Sequence, residues 1–325
     1  MRPILILSVM TVACCTFTAC RRPCKTEYHN SVCVVQESYI HKYGVEVPAE
    51  EWSARGEHGQ VVSTLSNGVT VAKGYTGGTL DGETTYTFPH SESIEKVEFY
   101  TNGKLVRDTT YYVGGAQMQE THYDPTGGKG VTLWYENGTT KNMESFDGAG
   151  LLVQGQYYDN HNNLDSQVDN REGIRTTRDR YGQLLYKDTI EGSVMTSRIT
   201  FHPNGTPSQI TPYRNGIVEG DLKTFLPGGE PNTIQQWQDG KQQGTTTVFK
   251  HGEKHAEIPY VNGAKRGIES RYRDDGQDVV EEINWKDDKK HGSHATYIGD
   301  TEQVTWYYQG KPVSKQNYDR LTAPK

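Results

Sequence analysis

Residues 213–220 read YRNGIVEG, residues 237–244 WQDGKQQG, residues 260–267 YVNGAKRG and residues 285–292 WKDDKKHG. The leading aromatics Tyr213, Trp237, Tyr260 and Trp285 follow one another at steps of 24, 23 and 25. Seven positions on, every block carries a glycine: Gly220, Gly244, Gly267 and Gly292. Twelve positions on, every block carries a second aromatic: Phe225, Phe249, Tyr272 and Tyr297. Gly216, Gly240 and Gly263 stand three after the aromatic, where the last block has Asp288. A constant period of this size marks stacked copies of one small unit. Asn-Gly and Asp-Gly suit tight turns that need positive φ. Runs such as Thr245-Thr246-Thr247-Val248-Phe249 supply strand formers. Each unit therefore reads as two short strands and two turns. The even offset of twelve is compatible with both aromatics sharing one face.

The register extends upstream through Trp52, Tyr75, Phe99, Tyr123 and Phe146. Between 165 and 210 it blurs, with Asn170 and Ile190 as weak anchors, and Tyr307 opens a shortened last unit. An isolated hairpin is marginal in water, so the units must stack. The expectation is an all-β fold, an elongated single-layer array of repeated β-hairpins with a period of about 24 residues.

Composition supports this reading. Hydrophobic residues make up only 33 % of the 325 residues, too few for a polytopic membrane protein or a sheet covered on both faces. The net charge of −7 argues against a nucleic-acid partner. The 21 tyrosines and 35 glycines fit short, turn-rich strands.

The first twenty residues, MRPILILSVMTVACCTFTAC, place Arg2 before an apolar run, which is an export signal rather than part of the fold. The run Phe17-Thr18-Ala19-Cys20 resembles the lipobox of bacterial lipoproteins, with Phe17 where leucine is usual. The resemblance implies diacylglycerol on the Cys20 thiol and cleavage before it. Cys14 and Cys15 fall inside the signal, which leaves Cys24 and Cys33 as a candidate disulfide pair in an exported chain. Two free thiols in a flexible tether are the alternative. The expected organisation is a signal peptide at 1–19, a lipid-anchored tether at 20–51, repeats at 52–164, degenerate repeats at 165–210, and repeats with a C-terminal cap at 211–325.

An aromatic-x-x-Gly-x-x-x-Gly run with a further aromatic five later, as in WQDGKQQGTTTVF and WKDDKKHGSHATY, resembles MORN repeats. FYTNGKLVR and WYENGTTKNM are similar to the bacterial variant, whose members are often labelled antitoxin components of toxin–antitoxin modules. The resemblance covers about four-fifths of the chain. It implies a single layer of hairpins, scaffolding or membrane-proximal roles, and no chemistry by the repeats themselves.

Motifs of catalysis are scarce. Gly127-Gly128-Lys129-Gly130 reads as a turn rather than a phosphate loop, and neither a GxSxG elbow nor an HExxH motif occurs. His251 and His255, and likewise His291 and His294, sit beside turns and not on a helix face, so no metal site is expected. His161 and His202 are the histidines to watch for an enzyme hidden in or beside the blurred stretch. Lys289-Lys290 and Arg271-Tyr272-Arg273 read as solvated faces, with phosphate or lipid-headgroup contact as the alternative. In Tyr111-Tyr112, Tyr157-Tyr158 and Tyr307-Tyr308, alternation sends one ring of each pair towards solvent.

The expected function is that of a lipid-anchored, non-enzymatic protein of the bacterial cell envelope, in the outer membrane or facing the periplasm. It offers its hairpin surface for protein–protein interaction or scaffolding. Its partners are the membrane, an unidentified protein and, through open sheet ends, a second copy; no cofactor is expected. The alternatives are cell-wall glycan binding, lipid-headgroup recognition and an antitoxin-like partnership with a toxin. Cells fed a clickable fatty-acid analogue are expected to label this chain and to lose the label in Cys20→Ala; label that survives the substitution overturns the anchor assignment.

Overall fold

The structure is a computed structural model that describes residues 32–323. Cys20 and Cys24 lie outside the described residues, and Cys33 is disulfide-bonded. The described chain holds 27 strands, numbered in order from β1 (Val34–His41) to β27 (Lys311–Val313). Almost every strand pairs antiparallel with the strand before it and the strand after it, so a single open sheet grows by one hairpin at a time. The stretch between 165 and 210, where the repeat blurs, continues the sheet without interruption.

Two kinds of turn alternate along the two long edges. On one edge the strands meet in two-residue turns whose central residues both have positive φ, for example 49° and 72° at Asp239 and Gly240. This is the type I′ geometry, whose twist matches that of the strands. On the other edge a turn closes with a bulge. His202 N–H donates to the Thr206 carbonyl at 2.8 Å, and Gly205 N–H donates back to the His202 carbonyl at 2.9 Å. The same reciprocal pair recurs on this edge at Tyr112/Gly115, Tyr135/Gly138 and Leu226/Gly229, and on the first edge at Asp147/Gly150.

The type I′ turns also lock each hairpin to its predecessor. Gly240 N–H donates to the Val218 carbonyl at 3.1 Å, and Asp239 N–H donates to Glu219 Oε2 at 2.8 Å. One unit later, Gly263 N–H reaches the Gln242 carbonyl at 2.9 Å and Asn262 N–H reaches Gln243 Oε1 at 2.8 Å. Near the start, Gly103 and Asn102 do the same to Leu80 and the Asp81 carboxylate. Near the end, Gly310 and Gln309 do the same to Lys290 and His291 Nδ1. In these four turns the side-chain acceptor is the residue before the seventh-position glycine of the motif; in the Trp285 block, where that residue is Arg266, Asp288 N–H reaches the Lys265 carbonyl and Asp288 Oδ1 accepts from Lys265 N–H instead. That glycine carries a bulge: Trp237 pairs with Gln242 while Gln235 pairs with Thr246, so the second strand spends two extra residues. Gly244 adopts a φ of 99° there. An insertion of two keeps the in–out alternation intact.

The ends are closed differently. The 20–51 stretch, read as a tether, contains β1, which pairs along its length with β3 (Gly59–Leu65). Trp52, read as opening a repeat, instead ends the helix α1 (Ala49–Trp52) and packs its ring 5.5 Å from that of Tyr39. At the other end, α2 (Lys315–Thr322) starts on the Ser314 hydroxyl cap and lays Tyr318 5.0 Å from the Trp306 ring of β26 (Thr301–Tyr308).

Glycine is obligatory where the bulge brings backbone onto backbone. At Gly173, φ is 139° and an added Cβ would lie 2.2 Å from the Gln167 carbonyl oxygen. Gly205, at φ 85°, has nothing within 4 Å. Urea titration is expected to show Gly173→Ala losing about 2 kcal/mol or more, and Gly205→Asn losing less than about 1 kcal/mol, because asparagine tolerates the left-handed region.

Candidate functional site

Strand alternation, carried across the sheet by the pairing register, gathers one set of side chains on one face. Tyr75, Tyr100, Tyr123, Phe146, Tyr213, Trp237, Tyr260 and Trp285 belong to it. Phe99 points to the opposite face, and Tyr100 takes the place expected for it. Phe225, Phe249, Tyr272 and Tyr297 also lie opposite to the leading aromatics. The shared face expected from the even offset therefore does not occur. Around a two-residue turn, partners have one odd and one even number, so an even offset changes face. The rings are half-buried in both rows except Tyr123, which is exposed. Both rings of Tyr111-Tyr112 and of Tyr307-Tyr308 are half-buried, and Tyr157 is buried beside a half-buried Tyr158, so none of the three pairs sends a ring fully into solvent.

Between the leading aromatics runs a file of buried carboxylates: Glu98, Asp108, Glu144, Asp188 and Glu269, none more than 8 % exposed. Each is satisfied by donors from its own strand or from other strands. Tyr86 and Tyr100 donate to Glu98 Oε2 at 2.8 and 3.1 Å, and Lys96 donates to Oε1. Tyr123 donates to Asp108 at 2.7 Å. Tyr157 donates to Glu144 at 2.8 Å, and Arg175 grips both Glu144 oxygens at 2.7 and 3.0 Å. Arg198 grips Asp188 at 2.7 and 2.9 Å while its guanidinium lies 4.0 Å from the centre of the Tyr186 ring. Trp285 Nε1 and Arg271 Nε donate to Glu269 at 2.9 and 2.8 Å. Arg271 also donates to Glu281, whose other oxygen meets His294 Nε2 at 2.6 Å.

The electrostatics follow from this bonding. Burial alone would raise the Glu98 carboxyl, but the Lys96 ammonium and the two tyrosine hydroxyls outweigh it and hold the group below its ordinary value. Burial likewise presses the Asp165 carboxyl upward, and Lys187 and Arg178 overcome it and hold the group below its ordinary value. Glu281 is lowered against its burial by His294 and Arg271. Burial and the Asp108 carboxylate push the Tyr123 hydroxyl up to about 12. A carboxylate whose lone pairs are taken by arginine and tyrosine donors is a structural tie and is poorly placed to abstract a proton.

The other sequence candidates are spread out. His161 is exposed at a turn, and His202 Nε2 meets the Phe225 carbonyl at 3.0 Å. His251 forms part of a turn, and His291 packs 5.1 Å from Tyr308. The Lys290 ammonium sits 5.2 Å over the Tyr307 ring. No group of three or more metal-ligating side chains gathers among the described residues.

One hollow stands apart. About 620 Å³ in volume, it opens between β5 (Thr79–Thr87), β6 (Ile94–Thr101), β7 (Lys104–Tyr111) and β8 (Gln117–Tyr123). Tyr86, Phe88, Tyr111 and Tyr112 supply rings, and Val69, Val113 and Met118 supply aliphatic walls. The sequence marked Tyr111-Tyr112 but nothing else of it, because the hollow joins residues from separate hairpins. No family model matches the chain, and no curated protein matches it.

Two outcomes test the carboxylate file. Glu144→Leu leaves the Arg175 guanidinium unpaired and is expected to lose about 3 kcal/mol in urea, most of it recovered in the double variant with Arg175→Met. Glu98, Asp165 and Glu281 have lowered folded pKa values. Their contribution is complete above the unfolded carboxyl pKa and is lost as pH falls through the lower folded ones. The urea midpoint is thus expected to be level from about pH 7 to 5 and to drop below about pH 4, with a smaller drop in Glu98→Gln.

Proposed function

We propose that the chain is a lipid-anchored, non-enzymatic scaffold of the bacterial cell envelope, built from the bacterial variant of the MORN repeat, whose sheet surface receives another protein. The observation that carries this reading is the single-layer sheet with two broad faces. Its polar side chains are committed to one another across strands, while aliphatic side chains such as Ile268 and Leu164, each 52 % exposed, stand on the surface. Such a surface offers shape and charge over a long distance, which suits recognition of extended partners. The export signal and Cys20 support an envelope location. The repeating lock between hairpins supports the MORN assignment, because it gives a reason for both motif glycines and for the residue before the second.

A photo-crosslinking amino acid placed at Ile268 or Leu164 of the membrane-anchored chain in living cells is expected to give a discrete adduct with one protein. Adducts confined to lipid or to peptidoglycan fragments would overturn the protein-scaffold reading in favour of the headgroup or glycan alternatives.

A further inference from the structure

The hollow between β5 and β8 has the make-up of a binding pocket rather than of a packing defect. Its volume of about 620 Å³ lies within the range of ligand sites. Its walls are mainly rings and aliphatic groups, and its few polar groups are unequal in what they can offer a ligand. Glu98 is held by Lys96, Tyr86 and Tyr100, and the Lys96 ammonium also lies 5.5 Å from the centre of the Tyr86 ring. The Tyr112 hydroxyl is committed to the Trp134 carbonyl at 2.9 Å. Thr110 differs: its hydroxyl is buried and has no hydrogen-bond partner among the described residues. Thr110 pairs with Lys96 across β6 and β7 and lines the hollow. A buried hydroxyl without a partner is costly, so an occupant that brings a polar atom to it gains an interaction that a pure hydrocarbon cannot make. At the rim, Val113 is 75 % exposed and Met118 37 % exposed, more apolar surface than a closed wall would leave. Glu95 stands exposed beside them, on a chain of net charge −7.

We infer that this hollow is the anchor pocket for one aromatic side chain of the protein partner, a tyrosine or tryptophan flanked by basic residues. The inference rests on the scaffold reading and adds the chemistry of the contact. The ring stacks among Tyr86, Phe88, Tyr111 and Tyr112, as aromatic pairs favour. Its hydroxyl or indole N–H meets Thr110, and the flanking cations face Glu95. A leucine or phenylalanine fills the space and leaves Thr110 unpaired.

The test uses the full-length chain with ¹³C-methyl methionine, read at Met118, with Met143 and Met195 as controls for the fold. The probes are the blocked tripeptides Lys-Tyr-Lys, Lys-Phe-Lys, Lys-Leu-Lys and Glu-Tyr-Glu. Lys-Tyr-Lys is expected to shift the Met118 methyl saturably and to bind at least about threefold more tightly than Glu-Tyr-Glu at low salt, a gap that closes in high salt. Thr110→Val is expected to weaken Lys-Tyr-Lys about fivefold and to leave Lys-Phe-Lys unchanged. Val113→Lys, at an exposed position, is expected to abolish the shift with Met143 and Met195 unmoved. Absence of a saturable shift, equal response to Lys-Leu-Lys, or a shift that persists in Val113→Lys overturns the pocket. Photo-crosslinking to the partner that survives Val113→Lys at full strength also overturns the pocket while leaving the scaffold reading intact.

Discussion

A carboxylate buried in the middle of a strand is the feature on which this sheet depends. A single layer has no second layer to pack against, so it cannot assemble an apolar interior. Here the central positions of the strands hold Glu98, Asp108, Glu144, Asp188 and Glu269. A lone buried carboxylate is strongly unfavourable, and it becomes tolerable only when its oxygens are filled. Filling them takes donors from several strands. Glu144 on β10 (Thr140–Phe146) draws Tyr157 from β11 (Leu152–Tyr158) and Arg175 from β13 (Glu172–Arg178). The Glu144 group thus fastens non-adjacent strands, while Glu98, Asp108, Asp188 and Glu269 each tie their own strand to an adjacent one. A buried ion pair is weak as a source of stability but strict about geometry, and strictness of register is what a long meander of similar strands requires.

The turns supply the second constraint. Several type I′ turns would leave amide groups at the sheet margin, and the repeat gives these acceptors on the preceding hairpin, as Gly240 and Asp239 do with Val218 and Glu219. The two-residue bulge at the following glycine sets that acceptor at the right height without flipping the strand. Local turn chemistry and stacking are therefore the same set of bonds, and a hairpin cannot keep its turn geometry without a neighbour.

The fold was legible because its period is written in residues that only a turn needs. Asn-Gly and Asp-Gly pairs located turns on both edges of the sheet, such as Asp239-Gly240 on one and Asn204-Gly205 on the other, and the leading aromatics located the strand ends beside the first. Face assignment was not legible from offset arithmetic, since the number of residues in the turn decides parity, the two-residue bulge leaving it unchanged, and neither has a residue signature as plain as an aromatic. Phe99 and Tyr100 illustrate this: adjacent rings are indistinguishable in a list of spacings, and only the register sends Tyr100 to Glu98. The acceptor before the seventh-position glycine was visible as Glu219, Gln243, His291 and Asp81. Their chemical variety hid a shared task, because a carboxylate, an amide and an imidazole can each accept one N–H. The blurred stretch near 165–210 has a similar explanation. Val168 and Ile190 take positions that aromatics hold elsewhere, and with Leu152 and Tyr157 they form a buried apolar cluster. The pattern changed residue type because the local packing changed from rings and charges to aliphatic groups.

This division of labour bears on recognition. Where cohesion comes from bonds within the sheet and between turns, the faces are not needed for packing, and side chains on them are free to vary. The hollow beside Tyr86 and Tyr112 shows how a site arises in such an array. The turn around Phe88 to Ser93 is longer than most of its counterparts, matched by that around Arg273 to Asp278, and Phe88 N–H is closed by the Ser93 carbonyl at 2.9 Å. The Glu98 cluster holds the floor of the hollow rigid from below, while Thr110, one strand over, is left with an unanswered hydroxyl. An irregular turn over a rigid ionic floor is a means of making one repeat different from the rest without disturbing the bonds that join it to its neighbours.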